Sequence, residues 1–168
     1  MARPLSSKAL VASIEQAVAV HFDDHPIDLP SSPLDWLQAG ADFNEWGCQG
    51  LIDELTTLRS QGAEVVVEAP LGRAQRASGE LIDFPVFIDT PLEVALARWV
   101  RRRLSEGMRP DEIAAHLDLY ESMRRPVYVE QRRQVVPEAD LVVDGLGDPA
   151  GWVVQVHFAS EAHQLANR

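Results

Sequence analysis

Two neighbouring carboxylates, Asp23 and Asp24, stand directly after a short apolar run at residues 18–22, and Glu68 closes a second such run at residues 64–68. In open α/β sheets ligands gather at the carboxyl ends of the strands, so acids in those positions are the first candidates for chemistry. Asp23 and Asp24 read either as an Asx turn leading into Pro26 or as acids that bind a hydroxyl and take its proton. Glu68 reads either as a solvated strand terminus or as an acid that arranges the water shell of Mg²⁺, a cation held through few carboxylates and several waters. The third group is cationic: Arg98, Arg101, Arg102, Arg103 and Arg109 crowd one stretch of an otherwise acidic chain. Helical spacing puts residues 98 and 102 on one face and turns 101 and 103 elsewhere. Arg98, Arg102 and Arg109 then suit a phosphate clamp, because a guanidinium meets phosphate oxygens as a fork. The alternative for the same residues is a solvated helix end whose cations the dipole favours.

The composition bounds what these groups can serve. The chain has 168 residues, 26 acidic and 15 basic, for a formal charge of −11. All the basic residues except Lys8 are arginine. The length suits one compact domain, residues 1–168. The negative charge repels nucleic acid and anionic membranes at long range, so neither is expected as a partner. No apolar run reaches the roughly 18 residues of a membrane span, and the first residues lack a signal-peptide layout. The expectation is a cytoplasmic protein acting on a small molecule. Cys48 is the single cysteine, so no intrachain disulfide forms and the thiol is expected to be a small packed side chain.

The elements that must position these residues follow from spacing. Leu10, Val11, Ile14, Ala17 and Val18 predict a helix over residues 6–17 that runs into the first strand. Residues 24–49, rich in Pro, Asp, Gly and Trp, read as a long ordered loop. Within it the tryptophans serve as loop anchors or ligand platforms. Leu51, Ile52, Leu55 and Leu58 mark a helix capped by Gly62. Residues 64–68, 84–89 and 141–143 read as further strands, the first of these buried on both faces as in a parallel sheet. Thr90, Pro91 and Glu93 predict a capping box opening a helix that ends near Gly107. A further helix spans residues 110–123, and Asp148-Pro149 opens a terminal one. Strands alternating with helices argue for an α/β fold, a parallel sheet flanked by helices.

The stretch from Phe87 through Ile88, Asp89, Thr90 and Pro91 to Arg98, followed by Val100 to Arg109, resembles the strand, helix and arginine-bearing lid of the uridine kinase and phosphoribulokinase family of P-loop kinases. Tyr120, Arg125-Pro126 and the run from Ala139 to Val143 resemble the segment leading to that family's last strand, and the match is collinear from about Leu5 to Asp144. The resemblance implies a P-loop NTPase-like sheet with a lid at about residues 98–125, ATP and Mg²⁺ as cofactors, and phosphoryl transfer to a small-molecule hydroxyl. It implies Asp23 as the base or positioning acid, Glu68 on a Mg²⁺-bound water, and Lys8, Arg98, Arg102 and Arg109 on ATP phosphates. Asp24, Asp42 and Arg73 would face the substrate. Against the phosphate-loop pattern G-x-x-x-x-G-K-[ST], the region keeps Lys8 but has Ser7 in place of glycine and Ala9 in place of the hydroxyl residue. Laid on that family, the sequence starts at the loop, so either the launching strand, central in this fold, lies upstream of it or that strand is expected to be missing and to leave neighbouring strands with unpaired backbone groups. Gly62 leads almost directly to the strand at 64, which leaves no room for the hairpin that reads a pyrimidine in uridine kinases. A catalytically impaired relative that binds a nucleotide or partner is the alternative the loop departures imply.

Overall fold

The structure, a computed structural model, describes residues 5–166, with side chains from Ala9 onward. Twelve labelled elements follow in chain order among the described residues: α1 (Leu5–Ser13), β1 (Val18–His21), α2 (Pro33–Gln38), α3 (Gln49–Ser60), β2 (Val65–Glu68), α4 (Arg76–Gly79), β3 (Val86–Asp89), α5 (Leu92–Ser105), α6 (Pro110–Leu119), α7 (Arg125–Val135), β4 (Leu141–Asp144) and α8 (Pro149–Ala166). No helix among the described residues is long and apolar enough to cross a membrane.

The strands are parallel, as the βα alternation predicts, but they form two pairs and not one sheet. β1 lies against β2 with Val18 opposite Val65 and His21 opposite Glu68, and β3 lies against β4 with Val86 opposite Leu141 and Asp89 opposite Asp144. Among the described residues no strand joins β1–β2 to β3–β4, so the single sheet expected from the alternation is split. Two helices tie the pairs together instead. α1 packs on β1 and β2 and also along α8, which in turn packs on β4. Ser13 Oγ and His157 Nε2, 2.8 Å apart, join the two helices. The short connection over residues 14–17, with Gln16 at φ 61°, joins α1 to β1.

The apolar alternation of β1 explains the main core. Val18, Val20 and Phe22 point to one side, where they meet Cys48, Leu51 and Leu55 of the α3 region and Val65 and Val67 of β2. Cys48 is 2% exposed, and burial pushes its thiol up from the ordinary value, against the lowering pull of hydrogen bonds with Ser78 and Gln75. It is packing material, as expected, and not a poised nucleophile. α3 and α5 both stop at a glycine. Gly62 and Gly107 have φ of 70° and 89°, and the following residues Ala63 and Met108 donate back to Leu58 and Arg103, which closes the last turn at each site.

Three boundaries differ from expectation for physical reasons. The segment over residues 24–49 is not plain loop: it contains α2, a 3₁₀ turn at Phe43–Glu45 and an antiparallel bridge between Asp28 and Gly47 with both hydrogen bonds at 2.9 Å. Its aromatic residues hold it. Trp36 is 3% and Phe43 1% exposed, and together with Ala41 and Leu71 they form a second core. Thr90 does not cap α5; Pro91 is the cap, its carbonyl accepting from Val94 and Ala95. The Thr90 hydroxyl lies instead against Gly145, where a Cβ would collide with it. The helix expected over residues 110–123 runs on, through a π-helical turn at Tyr120–Arg124, into α7. Pro126 accounts for the widened turn, because it offers no N–H and its ring clashes with the carbonyl one turn back.

Candidate functional site

The carboxyl ends of both strand pairs carry polar groups in register. At β1–β2, His21 Nδ1 lies 2.9 Å from Glu68 Oε2. The parallel register makes them cross-strand partners, so the contact follows directly from the pairing. Phe22, 8% exposed, is drawn into the core, and the 3₁₀ turn Phe22–Asp24 then projects Asp23 and Asp24 outward at the same sheet end. Asp23, Asp24 and Glu68 thus share one end of one strand pair, as the sequence implies.

At β3–β4 the acid is Asp89. Arg132 of α7 grips it as a fork, with Nε to Oδ1 at 3.0 Å and Nη2 to Oδ2 at 2.7 Å. This hydrogen bonding holds the Asp89 carboxyl below its ordinary range and raises the Arg132 guanidinium. A carboxyl whose folded value lies below the unfolded value, near 4, contributes stability above that pH and loses it as pH falls through the folded value. Arg132→Gln is therefore expected to flatten the acid-side loss of stability below about pH 4. Thermal midpoints measured across that range check this, and an unchanged acid limb would show that the fork contributes nothing.

The arginines of α5 and of the residues that follow it divide. Arg98 Nη1 donates to the Gly145 carbonyl at 2.8 Å, which fixes it at the end of β4. Arg102 Nε is buried and meets no hydrogen-bond acceptor among the described residues. Arg103 turns away, as helical spacing demands, onto the ring of Trp99 at 5.7 Å and to Glu106 at 2.9 Å. Arg109 lies with Asp111 at 2.7 Å and Glu112 at 3.8 Å, so its charge meets acids of its own helix.

The remaining sequence candidates hold scaffold contacts. Arg73 donates to the carbonyls of Ile82 and Asp83 at 3.3 and 2.7 Å and pairs with Asp140 at 3.1 Å. Asp42 accepts from the backbone and side chain of Asn44 at 2.9 and 2.7 Å, which lowers its carboxyl below the usual range. Lys8 falls within α1, but its side chain lies outside the described residues.

A cavity of about 280 Å³ opens beside Asp89, between β3, α5 and α7. Phe87, Thr90, Leu96, Trp99, His116, Tyr120, Tyr128 and Arg132 line it. Trp99 meets His116 edge to face at 5.2 Å, and Tyr120 leans toward Tyr128 at 6.1 Å. The π turn brings both Tyr120 and Arg124 to its wall, and such turns recur at functional sites. Sequence reasoning missed His21, Arg132 and this cavity. The signals were present: a histidine two residues before the paired acids, at the end of the first apolar run, and a proline inside a helical pattern at Pro126.

Among the described residues no three of His, Cys, Asp and Glu converge as a metal cage. Separate carboxylates at strand ends suit Mg²⁺ carried mainly by phosphates and water.

Parallel strands, covering helices and polar groups gathered at the strand carboxyl ends define a mixed α/β protein with a candidate site at those ends. No protein-family model matches the chain. The chain is similar to uridine-cytidine kinase-like 1 of Mus musculus, at 29% identity over 170 residues that cover 92% of this chain. It spans 30% of that relative's length. The likeness runs over nearly all of the residues described above.

Proposed function

We propose that this chain is an ATP-dependent phosphotransferase domain of the uridine kinase type, with a hydroxyl of a nucleoside- or sugar-like small molecule as acceptor. The observation that carries the reading is the placement of Asp23 and Glu68 at one sheet end, in a chain whose sequence follows a kinase-like relative along most of its length. Mg²⁺-ATP supplies the transferable phosphoryl group and the cation that neutralises it. Asp23 accepts the proton of the acceptor hydroxyl, for which its exposed position after β1 is suited. Glu68 orients a metal-bound water. Arg98 and Arg102, one turn apart on α5, meet phosphate oxygens, joined by Lys8 and, once released from its acids, by Arg109. The aromatic cavity at the end of β3 has the walls to stack an acceptor's ring, at a volume near the lower limit for small-molecule sites. Asp24, Asp42 and Arg73 are the polar groups assigned to acceptor hydroxyl or phosphate contacts.

Mg²⁺-ATP at about a hundred times its Kd is expected to stabilise the fold by about 2.7 kcal/mol, which moves the Tm of a chain this size by about 5–10 °C. Lys8→Ala is expected to remove most of that shift. A wild-type Tm unmoved by Mg²⁺-ATP would sink the proposal. A second reading, nucleotide binding without turnover, is favoured by Ala9 at the position where the loop pattern needs a hydroxyl on Mg²⁺. It predicts the thermal shift without transfer to any alcohol.

A further inference from the structure

His21 belongs to none of the roles assigned above, yet it is 8% exposed and makes a defined polar contact at the candidate site. Glu68 carries a carboxylate, which only accepts, so the 2.9 Å contact requires the imidazole proton on Nδ1. Nε2 is buried and has no hydrogen-bond partner among the described residues. Nε2 is unpaired in either tautomer, so the Glu68 carboxylate alone selects the Nδ1–H form. The two side chains hang from cross-strand partners at the last residue of β1 and of β2, which fixes the ring relative to the carboxylate through the backbone. The Glu68 side chain is 39% exposed against 9% for His21, so the buried ring is the anchor and the carboxylate is the group presented outward.

We propose that His21 is the positioning residue for Glu68: its Nδ1–H holds Oε2, restricts the carboxylate to one rotamer at the sheet end, and thereby sets the water shell through which Glu68 acts on Mg²⁺. The proposal rests on the kinase reading of Glu68 and adds a residue whose effect passes entirely through that carboxylate. Partners of this kind hold metal-organising groups in place, and losing them costs about ten- to a hundredfold in metal affinity or activity.

The test compares His21→Asn with His21→Leu. Asparagine Nδ2 sits where histidine Nδ1 does and can still donate to Glu68, whereas leucine fills more of the space and cannot donate. ATP affinity is titrated calorimetrically with Mg²⁺ and with Mg²⁺ chelated, and the Mg²⁺-dependent gain is the readout. His21→Leu is expected to reduce that gain about ten- to a hundredfold and leave the metal-free affinity alone, while His21→Asn keeps it within a few-fold. A purely space-filling role predicts the opposite order, with leucine the better replacement. Nitrogen NMR of the imidazole, independent of nucleotide, is expected to show the Nδ1–H form in the wild type and a tautomer mixture in Glu68→Ala. A Nε2–H form in the wild type, or a Mg²⁺-dependent gain that survives His21→Leu, overturns the proposal alone. A wild type with no Mg²⁺-dependent gain overturns it together with the kinase reading.

Discussion

Asp23→Asn is expected to lower phosphoryl-transfer turnover by about 10²–10⁴-fold, the usual contribution of a positioned general base. The fold should survive. Asp23 sits in an exposed 3₁₀ turn whose attachment to the core is made by its neighbour Phe22, 8% exposed, and the amide differs from the acid by a single atom. The effect should fall on kcat, with KM for the acceptor nearly unchanged, because asparagine still hydrogen-bonds a hydroxyl but cannot take its proton. A coupled assay over a panel of nucleosides and sugars measures it. Full activity in Asp23→Asn would remove Asp23 from the role of base and shift attention to the neighbouring Asp24.

Phe43→Ala is expected to destabilise the protein by about 3–5 kcal/mol, a large share of the 5–15 kcal/mol typical of a domain. The ring is 1% exposed and meets Trp36 edge to face at 5.0 Å and Trp46 at 5.3 Å. Its cluster includes Leu71, just past β2, and Val127 of α7 packs against the same group. Removing the ring therefore loosens the second core where the 24–49 segment meets both the end of β2 and the helix that carries Arg132. Chemical denaturation gives the number directly. A midpoint that stays put while acceptor affinity collapses would mean that these aromatics form a ligand platform, the role that their burial argues against.

Much of this architecture was legible in local chemistry. All four strands announced themselves as β-branched or aromatic runs ended by an acid or a turn, and Gly62 and Gly107 stopped their helices because each sits at a positive φ that other residues adopt only under strain. The grouping of Asp23 with Glu68 was also readable, since both follow strands and parallel strands place their carboxyl ends side by side. The Thr90 cap was misread because its capping box is a local pattern, whereas Thr90 is claimed by a contact with Gly145, 55 positions away in the chain. The long 24–49 segment was misread for a similar reason. Its polar composition resembles a loop, and only the burial of Trp36 and Phe43 against Leu71 shows what orders it.

What the sequence determined by itself is therefore the alternation of strands and helices, the acids at two strand ends, and the arginine-rich helix after the third. These depend on backbone propensity and spacing along one segment at a time. Tertiary structure alone decided that the strands pair two by two, that His21 meets Glu68, that Arg132 forks onto Asp89, and that a π turn before Pro126 opens an aromatic cavity beside that ion pair. Each of these is a contact between segments brought together by packing. The partner that satisfies a buried imidazole or a strand-end carboxylate is chosen by register and burial, which no single stretch of residues encodes.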